Sequence, residues 1–441
     1  MSAADKPSLS EQLADWILDQ KANGMPDVVL GAARTYLLDW LGSALAGHAT
    51  DPGRKLLDYA AEQPAGPCRI VGSDMSRSAE VAALVNGGLS HIVEMDDLDR
   101  GSVVHPGAVI IPAALAVADQ AQANRRDLLS ALVAGYEVAI RIGEAVGKEH
   151  YFYFHNTSTC GVFGAAAAAG WLLELNREQL VWALGNAGTQ AAGLWQFNAD
   201  GDMSKHLHTG RAAANGVLAA DLAARDFSGA RRILEGRRGF FAATAPGARP
   251  ERVVAGLDAR PPAYKIQGAS IKPHASCRHT HPAIDAALAL QQSLPDYPIE
   301  RVAIETYQAA LDLCDNPDPQ TPYAAKFSLH YCVASALCRS HAGLEAFTPQ
   351  AIQAPPLRSL LPRITATVDP VFEAQYPQRW PTRVRIWLAD GSEHSHTVTA
   401  PKGDPENPLT PAELEAKFRQ LAAFGGHKQH VEDWLHWVNQ K

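Results

Sequence analysis

Between Ser8 and Leu175 apolar residues recur at intervals of three and four with few breaks, the spacing that gathers them on one face of an α-helix. The stretches SLSEQLADWILDQKAN, PDVVLGAARTYLLDWLGSALAG, AVIIPAALAVADQAQ and RRDLLSALVAGYEVAIRIGEAVG each predict a helix, with Ser or Asp near the starts. They are too apolar for surface helices and predict a large helical core. CRIVG, around Ile70, predicts a strand fragment. Next comes HYFYFHNTSTCGVFGAAAAAGWLLEL, in which the N-cap residues after His155 predict a helix start and the Gly/Ala run predicts close helix packing. REQLVWALGNAGTQAAG predicts a further helix, followed by a polar loop, FNADGDMSKHLHTG, with Lys205 just before the helix RAAANGVLAADLAARDF.

Beyond about Pro261 the texture changes, and the alternating runs RVAIETY, RITATVD, RVRIWLAD and EHSHTVTA predict strands. Asp390-Gly391 between the last two is a hairpin signal. Helical stretches, HPAIDAALALQQSL and AKFSLHYCVASALCRSH, are interleaved with them, and TPAELEAKFRQLAAF and HVEDWLHWVNQ close the chain as amphipathic helices. The expected fold is mainly α with an α+β second domain: residues 1–265 and 401–441 all-helical, and residues 266–400 an α/β unit.

Composition narrows the function classes. The formal net charge of the 441-residue chain is -8, with Lys and Arg dispersed, so nucleic acid is not an expected partner. The N-terminal stretch lacks a basic region followed by an apolar core, and no apolar run is long enough to cross a bilayer; a cytoplasmic protein is expected, with no membrane partner. Six cysteines without a CxxC pair suggest neither a disulfide framework nor a zinc site, and the pairs His206/His208, His279/His281 and His394/His396 lack further ligands at metal-binding spacing. No GxGxxG or GxxxxGK[ST] phosphate loop and no GxSxG elbow is present. The expected cofactor content is none.

Candidate chemistry concentrates in HIVEMDDLDRGSVVHPG, residues 91–107, which sets Glu94, Asp96, Asp97 and Asp99 between His91 and His105 and is flanked by helices. His105, His155 and Lys205 each stand at or just before a predicted helix start, where unpaired N–H groups and partial positive charge suit carboxylates and keep imidazole neutral. A fourth cluster, IKPHASCRHTHPAIDAAL, brings Lys272, Arg278, His279 and His281 to the opening of the α/β unit as an expected anion clamp.

Taken in order, YLLDWLGSALAG, EMDDLDRGSVVHPG, HNTSTCGVFGAAAAAG, MSKHLHTGRAAANG, KPHASCRHTHPAIDA and AKFSLHYCVA resemble the MmgE/PrpD family over essentially the whole chain. That family includes 2-methylcitrate dehydratase, cis-aconitate decarboxylase and iminodisuccinate epimerase. The resemblance implies a helical domain built from both chain ends, an inserted α/β lid domain, a homodimer, and an active site at the domain junction without metal or organic cofactor. Carried over by residue, it implies catalytic positions at Glu94, His105, His155 and Lys205 and substrate-binding positions at Asp97, Lys272, Cys277, Arg278 and His281. Where the decarboxylases have Asp, Thr and His, this chain has Glu94, Leu98 and Cys277. The expected activity is therefore carbon-acid chemistry on a small di- or tricarboxylate, first as a 2-methylcitrate dehydratase-like lyase. An imino- or amino-dicarboxylate epimerase, an aconitate-type decarboxylase and a carboxylate-binding protein without turnover are the alternatives.

Overall fold

The computed structural model describes residues 6–260 and 262–440. The first residues of the N-terminal stretch and Pro261, where the texture changes, lie outside them. The chain is mainly helical, with two sheets, and divides into two compact units. The first comprises the described residues of Met1–Ile92, Asp96–Ala269 and Leu414–Lys441; the second comprises Val93–Met95 and Ser270–Glu413. No helix among the described residues is long and apolar enough to cross a membrane.

The first unit is a helical assembly whose starts follow local chemistry. Ser8 and Glu11 form a capping box ahead of Leu9–Asn23, as do Asn176 and Gln179 ahead of Arg177–Gly188. CRIVG contributes a two-residue strand, β1 (Cys68–Arg69), antiparallel to β2 (Ser76–Arg77). At the centre every residue of Gly161–Leu172 is buried. Its Gly164 meets Gly135 of Arg125–Val146 so closely that a Cβ on Gly164 would stand 2.6 Å from the Gly135 carbonyl oxygen. A second close crossing positions the functional groups: a Cβ on Gly210, in Ser204–Ala224, would lie 2.2 Å from the Leu84 carbonyl oxygen in Ala79–His91. These two helices are thereby locked together, one ending at His91 and the other beginning beside Lys205.

In the second unit, β3 (Ile299–Thr306), β4 (Ile364–Val368), β5 (Thr382–Leu388) and β6 (Glu393–Val398) form a sheet of order β4-β3-β5-β6. Only β3 and β4 run parallel. The Asp390-Gly391 turn joins β5 to β6, with Gly391 at φ 85° and the Asp390 carboxylate accepting from the Ser392 N–H at 2.9 Å. Strict in/out alternation along β5 covers one face, against which the helix His281–Gln291 packs.

Candidate active site

All four carboxylates of the acidic segment are buried, and each is answered differently. Asp97 accepts the Tyr136 hydroxyl at 2.7 Å and the Gly107 N–H at 2.9 Å. It thus takes up the first N–H of the helix Gly107–Ala121 and ties that helix to Arg125–Val146. Burial drives the Asp97 carboxyl well above the ordinary range, opposed by those two donors. Asp99 accepts the Ser102 N–H and hydroxyl at 2.8 and 2.7 Å, closing the turn. Two residues of this segment, Glu94 (φ 60°) and Val103 (φ 53°), adopt left-handed backbone that non-glycine residues tolerate only at a cost of about 1–3 kcal/mol each.

Asp96 is the hub. Its Oδ2 lies 2.7 Å from His91 Nδ1 and 3.0 Å from His105 Nδ1. A carboxylate can only accept, so His91 carries a proton on Nδ1, while His105 Nδ1 faces the same oxygen at ion-pair distance. His105 is fixed further by its backbone N–H on Thr157 Oγ1, at 3.1 Å, while Asn156 Nδ2 donates to the Ser102 carbonyl at 2.8 Å. The acidic segment and the short helix Asn156–Thr159 are thereby sewn together.

His155 is the N-cap residue of that short helix and is buried, its backbone N–H donating to the Gly193 carbonyl at 3.0 Å. Its ring stacks on His91 with centroids 5.6 Å apart and lies 5.7 Å from that of His208. Burial, and then His91, Lys205, His208 and His105, hold its pKa well below 6.5, so His155 is neutral at physiological pH. His208 is lowered to about 4, by burial first and then by His91 and Lys205. Among the described residues His91 Nε2 and His155 Nδ1 have no hydrogen-bond partner. Four histidines and a buried lysine, two of the rings close to Asp96, make a cluster chemically able to hold and move protons, with neutral His155 and His208 beside Lys205.

Lys205 differs from expectation: it lies inside the first turn of Ser204–Ala224, which begins seven residues before the predicted Arg211 start. The Ser204 N–H is taken by Asp202 Oδ1 at 2.7 Å, and the polar first turns are buried at Lys205, His206 and Thr209. Hydrophobic periodicity cannot register a helix whose buried face is polar.

In the second unit the structure gathers Glu94, Lys272, Cys277, Arg278 and His281. Lys272 Nζ and Glu94 Oε2 are 3.1 Å apart and both fully buried. The Cys277 thiol is lowered by a hydrogen bond from the Cys314 thiol, the His279 backbone N–H and the Lys272 charge, against the effect of burial. The Arg278 guanidinium is heavily engaged within the unit: Asp404 pairs with Nη2, and His281 Nδ1 and the Lys402 carbonyl lie 2.9 and 3.2 Å from Nη1. His281 Nε2 faces the Ser276 carbonyl at 3.2 Å, so both its ring nitrogens are occupied. Since Arg278 and Asp404 are buried, Arg278→Ala is expected to cost about 3–5 kcal/mol of stability by removing the cation that pairs with the buried Asp404 carboxylate. A urea midpoint unchanged from wild type, with a raised KM, would instead restore the anion-clamp role.

Sequence reasoning placed His91 and Asp96 in the candidate segment and His279 in the basic cluster without giving them individual roles, and it passed over His208. His208 lies three residues beyond Lys205, on the same helical face, a signal that emerges once the helix starts at Ser204. His279 stacks on Trp380 at 4.2 Å and has Nδ1 2.7 Å from the Tyr307 hydroxyl.

His91, Asp96 and His105 also offer three ligand atoms within 4.8 Å of one another, a candidate cation set. Two ligands of a tetrahedral zinc, with bonds near 2.0–2.1 Å, stand about 3.3 Å apart. The 2.7 Å between His91 Nδ1 and Asp96 Oδ2 is instead that of an N–H···O bond, and the 3.0 Å to His105 Nδ1 is also shorter than two zinc ligands stand, so the trio fits protons better than a metal. Activity is expected to survive dialysis against EDTA; loss restored by one added divalent metal would reverse this assignment.

The MmgE/PrpD N-terminal domain model matches residues 11–253, and the MmgE/PrpD C-terminal domain model matches residues 274–439. The chain belongs to the MmgE/PrpD family. Among curated members, it is similar to the cis-aconitate decarboxylase-like protein oryM of Aspergillus oryzae, at 27% identity over 94% of this chain and 91% of that protein. Cis-aconitate decarboxylase of Aspergillus terreus is 27% identical over 97% of this chain and 92% of its own length. The human cis-aconitate decarboxylase is 26% identical, covering 94% and 88% respectively. Similarity therefore runs end to end in this MmgE/PrpD protein and covers both the histidine cluster and the Lys272–Glu94 group.

Proposed function

We propose that this protein is a lyase acting without metal or organic cofactor on a small di- or tricarboxylate, removing a proton next to a carboxylate and expelling water from a 2-methylcitrate-type hydroxy acid. The observation that supports it most is neutral His155 beside the Lys205 cation and the Asp96-supported histidines. Elimination needs a base for the carbon-bound proton and a donor for the departing hydroxyl. His155 serves as base. Lys205 neutralises the substrate carboxylate, so that negative charge developing on the carbon spreads into it. His105 enters the step as imidazolium, gives its Nε2 proton to the departing hydroxyl to form water and becomes neutral, the Asp96 carboxylate near Nδ1 having stabilised the charged form.

Decarboxylation of a cis-aconitate-type acid is the second reading, favoured by the names of the relatives. It would use the same groups to protonate the carbanion left by departing carbon dioxide. Leu98 and Cys277, both buried and standing where the decarboxylase pattern has Thr and His, weigh toward the hydro-lyase.

Mass spectrometry of products from 2-methylcitrate, citrate, cis-aconitate, trans-aconitate and iminodisuccinate separates the readings. Loss of water from a hydroxy acid supports the hydro-lyase, and loss of carbon dioxide from cis-aconitate replaces it with the decarboxylase. Turnover of none of these by folded protein overturns the carboxylate-lyase reading.

A further inference from the structure

A cavity of about 450 Å³ lies within the first unit, along one face of the helix Ser204–Ala224. From that helix Leu207, His208, Arg211 and Asn215 line it, at the three- and four-residue spacing of one helical stripe. The facing wall is Ser158 and the 190–197 segment. Its volume suits one small organic acid.

Three features of this wall are those of a built polar site. Asn215 is 8% exposed, and its Oδ1 has no hydrogen-bond partner among the described residues. The His208 Nδ1 is likewise buried without a partner. The Arg211 guanidinium makes no ion pair or hydrogen bond among the described residues, so both edges of its fork are open. Asp202, the one acid in the lining, already accepts the Ser204 N–H at 2.7 Å. Leaving a buried acceptor unanswered is costly, and a hydroxyl in the cavity would satisfy Asn215.

The cavity also adjoins the proton-handling cluster. The His208 ring is 5.7 Å from His155, and Phe197, another lining residue, is 6.1 Å from His155 and 5.3 Å from His208. His208 and Phe197 are therefore a shared wall.

We infer that this cavity is a carboxylate subsite, in which Arg211 grips a carboxylate of the substrate remote from the reacting carbon and Asn215 and His208 hold an adjacent hydroxyl. The inference rests on the carboxylate-lyase reading above and adds where a distal carboxylate is selected. Arg211 is exposed, so its replacement leaves the packed core intact.

Propane-1,2,3-tricarboxylate, which has no hydroxyl to lose and no double bond, is the probe. It is titrated calorimetrically into wild type, Arg211→Gln and Arg211→Lys. The expected result is binding by wild type, weakening of about tenfold or more in Arg211→Gln, and partial recovery in Arg211→Lys, which returns charge but not the fork. In turnover of whichever acid proves to be the substrate, Arg211→Gln should raise KM with kcat within about twofold. Equal affinity in wild type and Arg211→Gln overturns the subsite while leaving the carboxylate-lyase reading standing. Absence of binding even by wild type overturns both.

Discussion

Alanine at His155 or at Lys205 is expected to lower kcat by about 10²–10⁴-fold while leaving the protein folded. His155 lies among His91, His105, His208 and Lys205 in a setting that disfavours its protonation, so a neutral imidazole is available as a base at physiological pH. The short helix that follows it is held through Asn156 and Thr157, independently of the His155 ring, which is why removal of the ring should spare the fold. The pH profile carries a sign. Because the folded pKa lies well below 6.5, the base stays competent as pH falls through 6.5, and kcat/KM should drop only at lower pH. The same shift makes the unfolded chain the stronger proton binder below about pH 6.5, so this histidine's contribution to stability is complete above that pH and declines on acidification toward the folded pKa. An acid limb at or above pH 6.5, or alanine variants within tenfold of wild type on the true substrate, would remove His155 from the base role.

Several of these relations were visible in the sequence, and those that were not share a physical cause. Starts fixed by a side chain three residues away, such as Ser8 with Glu11, are local and could be read directly. So could the alternation of β5 and the Asp390-Gly391 turn. The acidic segment stood out because carboxylates so close together need partners. Which partner each would find was not legible: Asp97 reaches Tyr136, 39 positions on, and Glu94 reaches Lys272, 178 positions on. The basic turn at Lys272–His281 read as an anion clamp because Arg278 suits carboxylates. The carboxylate that Arg278 meets within its own unit is Asp404, 126 positions away. The start at Ser204 was hidden because Met203 supplies no capping side chain and the first turns bury polar groups. Rules of apolar spacing therefore miss that start.

Asp96→Asn is expected to lower kcat by about 10²–10⁴-fold with a much smaller change in KM. In the wild type Asp96 Oδ2 accepts Nδ1–H from His91 at 2.7 Å, which fixes a proton on that ring's Nδ1, and places its charge 3.0 Å from His105 Nδ1. Asparagine presents one acceptor and one donor. Where its NH2 faces His91, that imidazole must accept at Nδ1 and carry its proton on Nε2, the reverse of the wild type. Where its oxygen faces His91, that ring's proton stays on Nδ1 but the negative charge that stabilises an imidazolium is gone. Both outcomes penalise proton transfer more than substrate binding, so kcat should carry the loss. Nitrogen-15 NMR of the histidine side chains offers a readout that a purely structural role would not move: wild type should show His91 protonated on Nδ1, and the variant a changed population. A variant with normal tautomers and kcat within tenfold of wild type would mean that Asp96 holds the segment together without taking part in the proton transfers.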